Sequence, residues 1–438
     1  MELARVFTGF RGVFPSFFRA FLGEEAFGGS LQAAGLIRDT ETGTSGITAC
    51  GRTDAIHYLW RIGKPIGAQR PIRTMTIQEI IDTIEAVCPR AYQENYDNSG
   101  VQVGDTRRMA TGALLCVDVT EAVLEEAIRL GCNLVIAHHP LLFKPLKRLT
   151  GSSFIERCVQ MAVRHDLVLY AAHTNADNAP QGLNAVLAER FGLTQTQPLE
   201  PLQGQLMELV TFVPSEHTEA VRQALWRAGA GRLGSYDCCS YSHSGVGTFR
   251  AGAGANPFVG TIGELHREEE ERLSVILPAY RQGAVMQALR TAHPYELPAV
   301  SLIPLANEHP TAGGGIVGDL PEAMSEREML LHIKEVFGLK VLAHSAWRER
   351  PVKRMAICGG SGAFMWKQAA QLGADLFLTG EAKYNDYFDA GEHLLLVTIG
   401  HYESEEVANE LFMRIISQKF PTFATHRTTA GTNPINYL

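Results

Sequence analysis

Short apolar runs alternate with amphipathic segments twice along this chain, and that rhythm restricts it to an α/β architecture. From Ala113 the order is strand (ALLCVDV), helix (EAVLEEAIRLG), strand (NLVIA), helix (SSFIERCVQMAVRH) and strand (LVLYAA). After Met355 it returns as strand (MAICGG), helix (GAFMWKQAAQLG), two further strands (DLFLTG, LLLVTIG) and helix (SEEVANELFMRII). Apolar strands separated by helices build parallel sheets, because a helical crossover returns the chain to the same end before each new strand. Both halves also contain a helix end with glycine feeding a strand, Leu130-Gly131-Cys132-Asn133-Leu134 and Leu372-Gly373-Ala374-Asp375-Leu376. The chain therefore reads as duplicated α/β lobes, 75–205 and 306–438, flanking one crevice. In that alignment His138 corresponds to about Gly380 or Glu381, and Asp177 to Glu405.

Between the lobes, residues 206–305 have a different texture. Strand LMELVTFVP, helix SEHTEAVRQALWRAG, a Gly-rich middle, strand RLSVILP, helix AYRQGAVMQALRTA and HPYELPAVSLIPL follow the ferredoxin-like α+β order, an inserted domain suited to assembly or access control. At the other end, residues 1–74 carry a Phe- and Arg-rich stretch and then a Gly/Thr stretch without period, and read as a leader, disordered or not native. No apolar run there is long enough to span a bilayer, and Arg5, Arg11 and Arg19 interrupt any signal-peptide core. The folded part is expected to begin at Met75, with Thr76 capping TIQEIIDTIEAV and Glu79 completing the cap.

Composition excludes some functions. A net charge of −8 offers no basic footprint, so direct binding to nucleic acid is not expected. The eight cysteines form no CxxC pair; several, such as Cys116, Cys132 and Cys358, lie in apolar runs, which fits reduced thiols in the cytoplasm. Adjacent Cys238 and Cys239 read as structural.

Chemistry concentrates where the apolar runs stop. LVLYAAHTNAD delivers His173 and, four residues on, Asp177; LLVTIGHYESE delivers His401 and Glu405; a third run ends on His138-His139, where Pro140 stops the ladder and lets both rings turn one way. Each of these is unremarkable alone, as a hydrogen-bonded histidine or a helix-face ion pair. Together they place imidazole and carboxylate at three strand ends that an open α/β sheet gathers into one crevice. Donors of nitrogen and oxygen without thiolate suit Zn, Mn, Fe, Co or Ni, and two shared carboxylates suit a pair of ions. His138, His139, Asp177, His401 and Glu405 are the expected ligands. His173 and Asp118 would orient them, Glu381 would accept a proton, and the loop Cys358-Gly359-Gly360-Ser361-Gly362 would offer amides to phosphate or else make a tight turn.

At these residues the chain resembles the Nif-three-like family of dinuclear metal proteins, whose members include GTP cyclohydrolase type 2 homologues. The resemblance rests on Asp97-Asn98-Ser99-Gly100 with VQVGD, VIAHHPLLF, AAHTNADNAPQGLNAVLAERFGL, GGIVGDL, CGGSG, LTGEAKYND, TIGHYESE and TNPINYL, which occur in order from residue 75 to 438. It implies two divalent metal ions on the same five residues, a PII- or CutA-like insert, and a homohexamer whose metal sites face an internal space. The expected activity is metal-dependent hydrolysis of a nucleotide or other phosphate-bearing small molecule. The alternatives are metal storage, delivery or sensing without turnover, and a regulatory scaffold.

Overall fold

The computed structural model describes residues 75–438. The reading of residues 1–74 as a leader lies outside the described residues. The fold opens with α1 (Ile77–Val87), where the Thr76 hydroxyl accepts from the Glu79 amide and the Glu79 carboxylate accepts from the Thr76 amide. This reciprocal cap satisfies two donors that the helix itself cannot. Ile77, Ile80, Ile81 and Ile84 recur at helical spacing and form its buried face.

Three strands and two helices follow the rhythm read from the sequence. β1 (Gly100–Val103) precedes β2 (Ala113–Cys116), α2 (Glu121–Leu130), β3 (Leu134–Ala137), α3 (Phe154–Arg164) and β4 (Val168–Ala171). Gly131 ends α2 with φ of 70°, a left-handed conformation that glycine adopts without steric cost. Next come α4 (Thr174–Asp177), α5 (Leu183–Arg190) and β5 (Thr194–Pro201). The middle of the chain supplies β6 (Leu206–Pro214), α6 (Thr218–Arg227), β7 (Tyr241–Arg250), β8 (Leu265–Pro278), α7 (Gln282–Ala292) and β9 (Val300–Pro304). The remainder supplies β10 (Gly313–Ser325), α8 (Glu326–Phe337), β11 (Ala343–His344), β12 (Pro351–Cys358), α9 (Trp366–Gln371) and β13 (Leu376–Thr379). It closes with α10 (Asp386–Gly391), β14 (Leu395–Thr398), α11 (His401–Glu405), α12 (Val407–Lys419) and β15 (Thr425–Arg427).

These strands form three sheets, in the orders β1-β4-β3-β2-β15, β11-β14-β13-β12-β10-β5 and β7-β8-β6-β9. The first two share a parallel core, β2-β3-β4 in one and β12-β13-β14 in the other. All neighbours in the third sheet are antiparallel. Two strands cross between the larger sheets: β5 pairs with β10 of the second, and C-terminal β15 pairs with β2 of the first.

Strand alternation then assigns the faces. Leu115, Ile136 and Tyr170 from the first sheet, and Ile357, Leu378 and Val397 from the second, enter one core with the apolar faces of α1, α5 and α12. Leu114, Val135 and Leu169 turn the other way, toward α2 and α3. Phe377 and Leu396 turn toward α9 and α10. A layer of helices thus lies between the two sheets and belongs to both. No helix among the described residues is long and apolar enough to cross a membrane.

Candidate metal centre

Parallel strands end on the same edge of their sheet, so the residues just past β2, β3 and β4, and just past β12, β13 and β14, collect in one place. The ladder runs one step beyond β3: the His138 amide donates to Cys116 O and the His139 amide to Val117 O, and Pro140, lacking an N–H, follows. Past β4 and β14 the chain turns at once into α4 and α11, each carrying a carboxylate four residues beyond a histidine.

The five side chains read from the sequence as ligands form one connected cluster. Glu405 is central: its Oε2 lies 2.8 Å from His139 Nε2 and 3.0 Å from His401 Nε2, and its Oε1 lies 3.7 Å from His138 Nε2. His138 Nε2 is also 3.7 Å from Asp177 Oδ1. Donor atoms of His139, His401 and Glu405 lie within 4.8 Å of one another, as do those of His138, His139 and His173. His173, expected only to orient other groups, is therefore itself among the candidate donors.

Each imidazole is held from behind. Nδ1 of His138 is 3.0 Å from Ala172 O, Nδ1 of His139 is 2.8 Å from Asp118 Oδ1, and Nδ1 of His173 is 2.8 Å from Asp97 Oδ1. Nδ1 of His401 faces Glu381 Oε1 at 3.4 Å. An acceptor behind Nδ1 fixes the ring and, when the imidazole is neutral, favours the tautomer that leaves the opposite nitrogen with its lone pair inward. Asp118 thus does what the sequence suggested. Asp97 does the same for His173, and its carboxylate is held by the Ser99 hydroxyl and by the amide and hydroxyl of Thr174. No role was read for Asp97 from the sequence, because it sits in a loop with no apolar run beside it.

The electrostatics follow from this geometry. Burial works against charge on His139, but hydrogen bonding to the Asp118 and Glu405 carboxylates raises it to about 10. Burial likewise opposes the Glu405 anion, yet three imidazoles hold it well below the usual carboxylate range. Burial pushes Asp177 up. Glu381 is lowered chiefly by the Ser361 hydroxyl, which donates to its Oε1. Cys358, at the end of β12, is buried, and burial pushes its thiol up.

Whether these residues fit a metal is testable on the polar atoms themselves. Among the described residues His138 Nε2 and Asp177 Oδ1 are buried without a hydrogen-bond partner, and they face each other at 3.7 Å. Leaving a buried polar atom unpaired costs about 1–3 kcal/mol, so two facing each other in one cluster fit a site whose partner is a cation. A set of imidazole and carboxylate suits a divalent transition ion.

The loop after β12 serves the cluster differently from one sequence expectation. Amides of Gly359, Gly360 and Gly362 donate to Asn184 Oδ1, Ser404 Oγ and Thr379 Oγ1, so they are committed to the fold and make no phosphate cradle. The loop is instead the tight turn that lets Glu405 approach: Gly360 has φ of 61°, and a Cβ there would stand 2.1 Å from Glu405 Oε1.

Two α/β sheets joined through shared helices, with histidines and carboxylates converging from both, define a class of α/β proteins built around a His/carboxylate crevice. The chain belongs to the Duf34/NIF3 (NGG1p interacting factor 3) family, whose model matches residues 75–434. It is 37% identical over 326 residues to the GTP cyclohydrolase 1 type 2 homolog of Halalkalibacterium halodurans, covering 74% of this chain and 88% of that protein. It is 35% identical over 367 residues to the Bacillus subtilis protein of the same name, covering 82% and 98%. A crystal structure of a Bacillus cereus protein related to NIF3 superposes with a TM-score of 0.74 at 34% identity, covering 84% of this chain and all of that one. A Staphylococcus aureus crystal structure superposes at 0.65 with 27% identity, covering 83% and 99%.

Proposed function

We propose that this protein holds two divalent metal ions on His138, His139, Asp177, His401 and Glu405, and hydrolyses a nucleotide or other phosphate-bearing small molecule. Glu405, placed between three imidazoles, and Asp177 would supply the carboxylate ligands in this reading. When bound, such ions supply Lewis acidity and acidify water. The chain's own part is to aim the donors, through Asp118, Asp97, Glu381 and Ala172 O behind the rings, and to move a proton. Glu381 is the acceptor: its carboxylate is anchored by Ser361, held in the anionic form, and lies beside His401 at the exposed side of the cluster. The names of the relatives make GTP the first substrate to try, with opening of its purine ring as the reaction.

The larger organisation belongs to the same proposal. Residues 75–205 and 306–438 are read as the two lobes and 206–305 as a ferredoxin-like insert, a reading supported by its β-α-β-β-α-β order and by its antiparallel sheet. Assembly as a homohexamer in the cytoplasm completes the proposal.

The observation that carries this reading is the pair of buried, unpaired donor atoms on His138 and Asp177, set beside a Glu405 carboxylate that three imidazoles approach. The test is metal analysis by mass spectrometry of protein purified without affinity nickel, followed by a turnover screen across nucleotides and phosphoesters with the metal-loaded form. Stoichiometric metal with turnover supports the proposal. Metal without turnover on any substrate supports storage or sensing instead, and absence of stoichiometric metal refutes both.

A further inference from the structure

Two of the five candidate ligands, His401 and Glu405, ride on α11, a single helical turn that begins just past β14 and is parted from α12 by Glu406 alone. One turn fixes many dihedral angles for few hydrogen bonds, so it does not support itself in isolation. Whatever holds this turn therefore decides how well two ligands are aimed. On its inner side the Ser404 hydroxyl accepts from the Gly360 amide and donates to His401 O. The rest of the grip comes from elsewhere in the chain.

The segment after β15 supplies it. β15 pairs with β2 of the first sheet, the Thr428 amide extends the ladder by donating to Leu115 O, and Glu126 of α2 gathers residues 428–430. The segment thus starts fixed to the first sheet, yet its partners lie on a turn delivered by the second. Arg427 pairs with Glu406 at the end of that turn, and Asn433 Nδ2 donates to Glu403 Oε1 at 2.9 Å in its middle. Residues two apart on a helix face opposite ways, so Glu403 points away from the side that His401 and Glu405 share. The segment takes hold of that outer side.

The elbow before the turn is built around the same contact. Gly400 has φ of 100° and ψ of 142°, a region that glycine alone enters readily. A Cβ there would stand 2.1 Å from Glu403 Oε2 and 3.2 Å from Tyr437 Oη. The Glu403 carboxylate thus folds back under the elbow with one oxygen and offers the other to Asn433. Asn433 is shaped for its part: its Oδ1 accepts from the Ile435 amide at 3.0 Å, which fixes the side chain with Nδ2 toward Glu403. Beyond it Ile435 and Tyr437 are 49% and 53% exposed, so burial contributes little to holding this end. Polar contacts on α11 fasten it instead.

We propose that residues 427–437 are a strap laid from the first sheet across the ligand turn of the second, and that Asn433 is a positioning residue which, through Glu403, sets how firmly His401 and Glu405 retain a metal ion. The inference rests on the metal reading given above. Releasing the strap frees the outer side of α11 and loosens two ligands, while His138, His139 and Asp177 stay where the first sheet puts them. Metal is then lost faster, although the cluster keeps all its donors.

The experiment follows transfer of zinc from the loaded full chain to a chromogenic chelator, beside peptide-level hydrogen exchange of the metal-free chain over residues 399–406. Asn433→Ala and Glu403→Ala should each speed zinc loss by about tenfold, the lower end of the effect of groups that orient metal ligands. The double variant should be no faster than either single one, because both remove the same contact. Glu403→Gln keeps the acceptor oxygen and should restore a rate near wild type. Exchange over 399–406 should quicken in both alanine variants while β13 stays protected. Zinc loss and exchange that match wild type in both alanine variants overturn the inference, as do effects that add in the double variant. A wild-type chain that holds no zinc tells against the metal reading instead. The exchange arm then decides the strap alone: faster exchange over 399–406 in the alanine variants supports it, and unchanged exchange overturns it.

Discussion

Exchanging Glu405 for Gln keeps the size of the side chain and removes one charge from the centre of the cluster. The carboxylate is 4% exposed and approaches three imidazole nitrogens at 2.8, 3.0 and 3.7 Å, so it touches candidate ligands delivered by both sheets. Loss of a group that merely orients a ligand weakens metal binding by about 10- to 100-fold. Loss of a shared ligand should reach at least the top of that range for each ion, about 2.7 kcal/mol per site. Bound metal stabilises the folded state by mass action, about 4 kcal/mol when its free concentration is 1,000 times the dissociation constant. The assay is therefore double: metal content after passage over a chelating resin, and thermal melting with and without chelator. The wild-type chain should keep its metal over the resin and melt several degrees lower when stripped. Glu405→Gln should emerge without metal, keep the circular dichroism of the folded protein, and melt at one temperature whether or not chelator is present. A Glu405→Gln protein that retains wild-type metal and the wild-type response to chelator refutes the assignment of this carboxylate.

Three further outcomes follow from particular contacts. Asp97→Asn removes the charged acceptor behind His173 and should weaken metal binding by about 10- to 100-fold with the fold intact, read by competition with a chromogenic chelator; unchanged affinity would remove His173 from the site. Gly360→Ala places a methyl against Glu405 at a left-handed backbone position, so it should destabilise by about 1–3 kcal/mol in denaturant melts and lower metal retention together. Glu126 in α2 accepts from the Thr428 and Thr429 hydroxyls and from the Thr429 and Ala430 amides, tying down the chain beyond β15. Burial would raise this carboxyl, but those donors bring it from 4.5 down to about 2. Its contribution is therefore present above pH 4.5 and fades as the pH falls toward 2. Glu126→Gln should cost about 2–4 kcal/mol at pH 7 and converge with wild type in acid; a gap that persists unchanged at low pH would refute the electrostatic account.

The elements legible in the sequence are those whose environment is uniform. β2, β3, β4, β13 and β14 are buried at every position and read as continuous apolar runs. The strands missed or truncated lie at edges or carry charge. β5 is polar, contains Pro198 and Pro201, and takes the outermost place in its sheet, where a missing N–H is tolerated. β7 is the Gly-rich middle of the third sheet's sequence and also an edge, and β8 begins in the charged run HREEEE, which lacks an apolar pattern. The same distinction governs the site. His138, His139, Asp177, His401 and Glu405 stand out because buried strands deliver them, whereas Asp97 and Ser361 act from loops, and only the folded chain brings them to His173 and Glu381.

A crevice assembled from two sheets is useful to metal ligands only if the sheets cannot drift apart. Ligand atoms must hold their places to within about 0.5 Å, while two lobes joined by a linker would be free to hinge. This chain removes that freedom in three ways. β5 leaves the first half to pair with β10 of the second sheet, and β15 returns from the last residues to pair with β2 of the first. The helices between the sheets bury α1, α5 and α12 against both at once, so opening the crevice would expose Leu115, Ile136, Ile357 and Leu378 together. Burial of one such side chain is worth about 1.5–3 kcal/mol, so a hinge motion that separated the sheets would cost as much as a large part of a typical domain's net stability. Glu405 follows from the second sheet and His138 and His139 from the first, and their 2.8 and 3.7 Å approaches are maintained by that shared core and not by the crevice itself. Truncating Phe412, fully buried in the shared layer, to Ala should accordingly loosen metal retention as well as lower stability by about 3–5 kcal/mol.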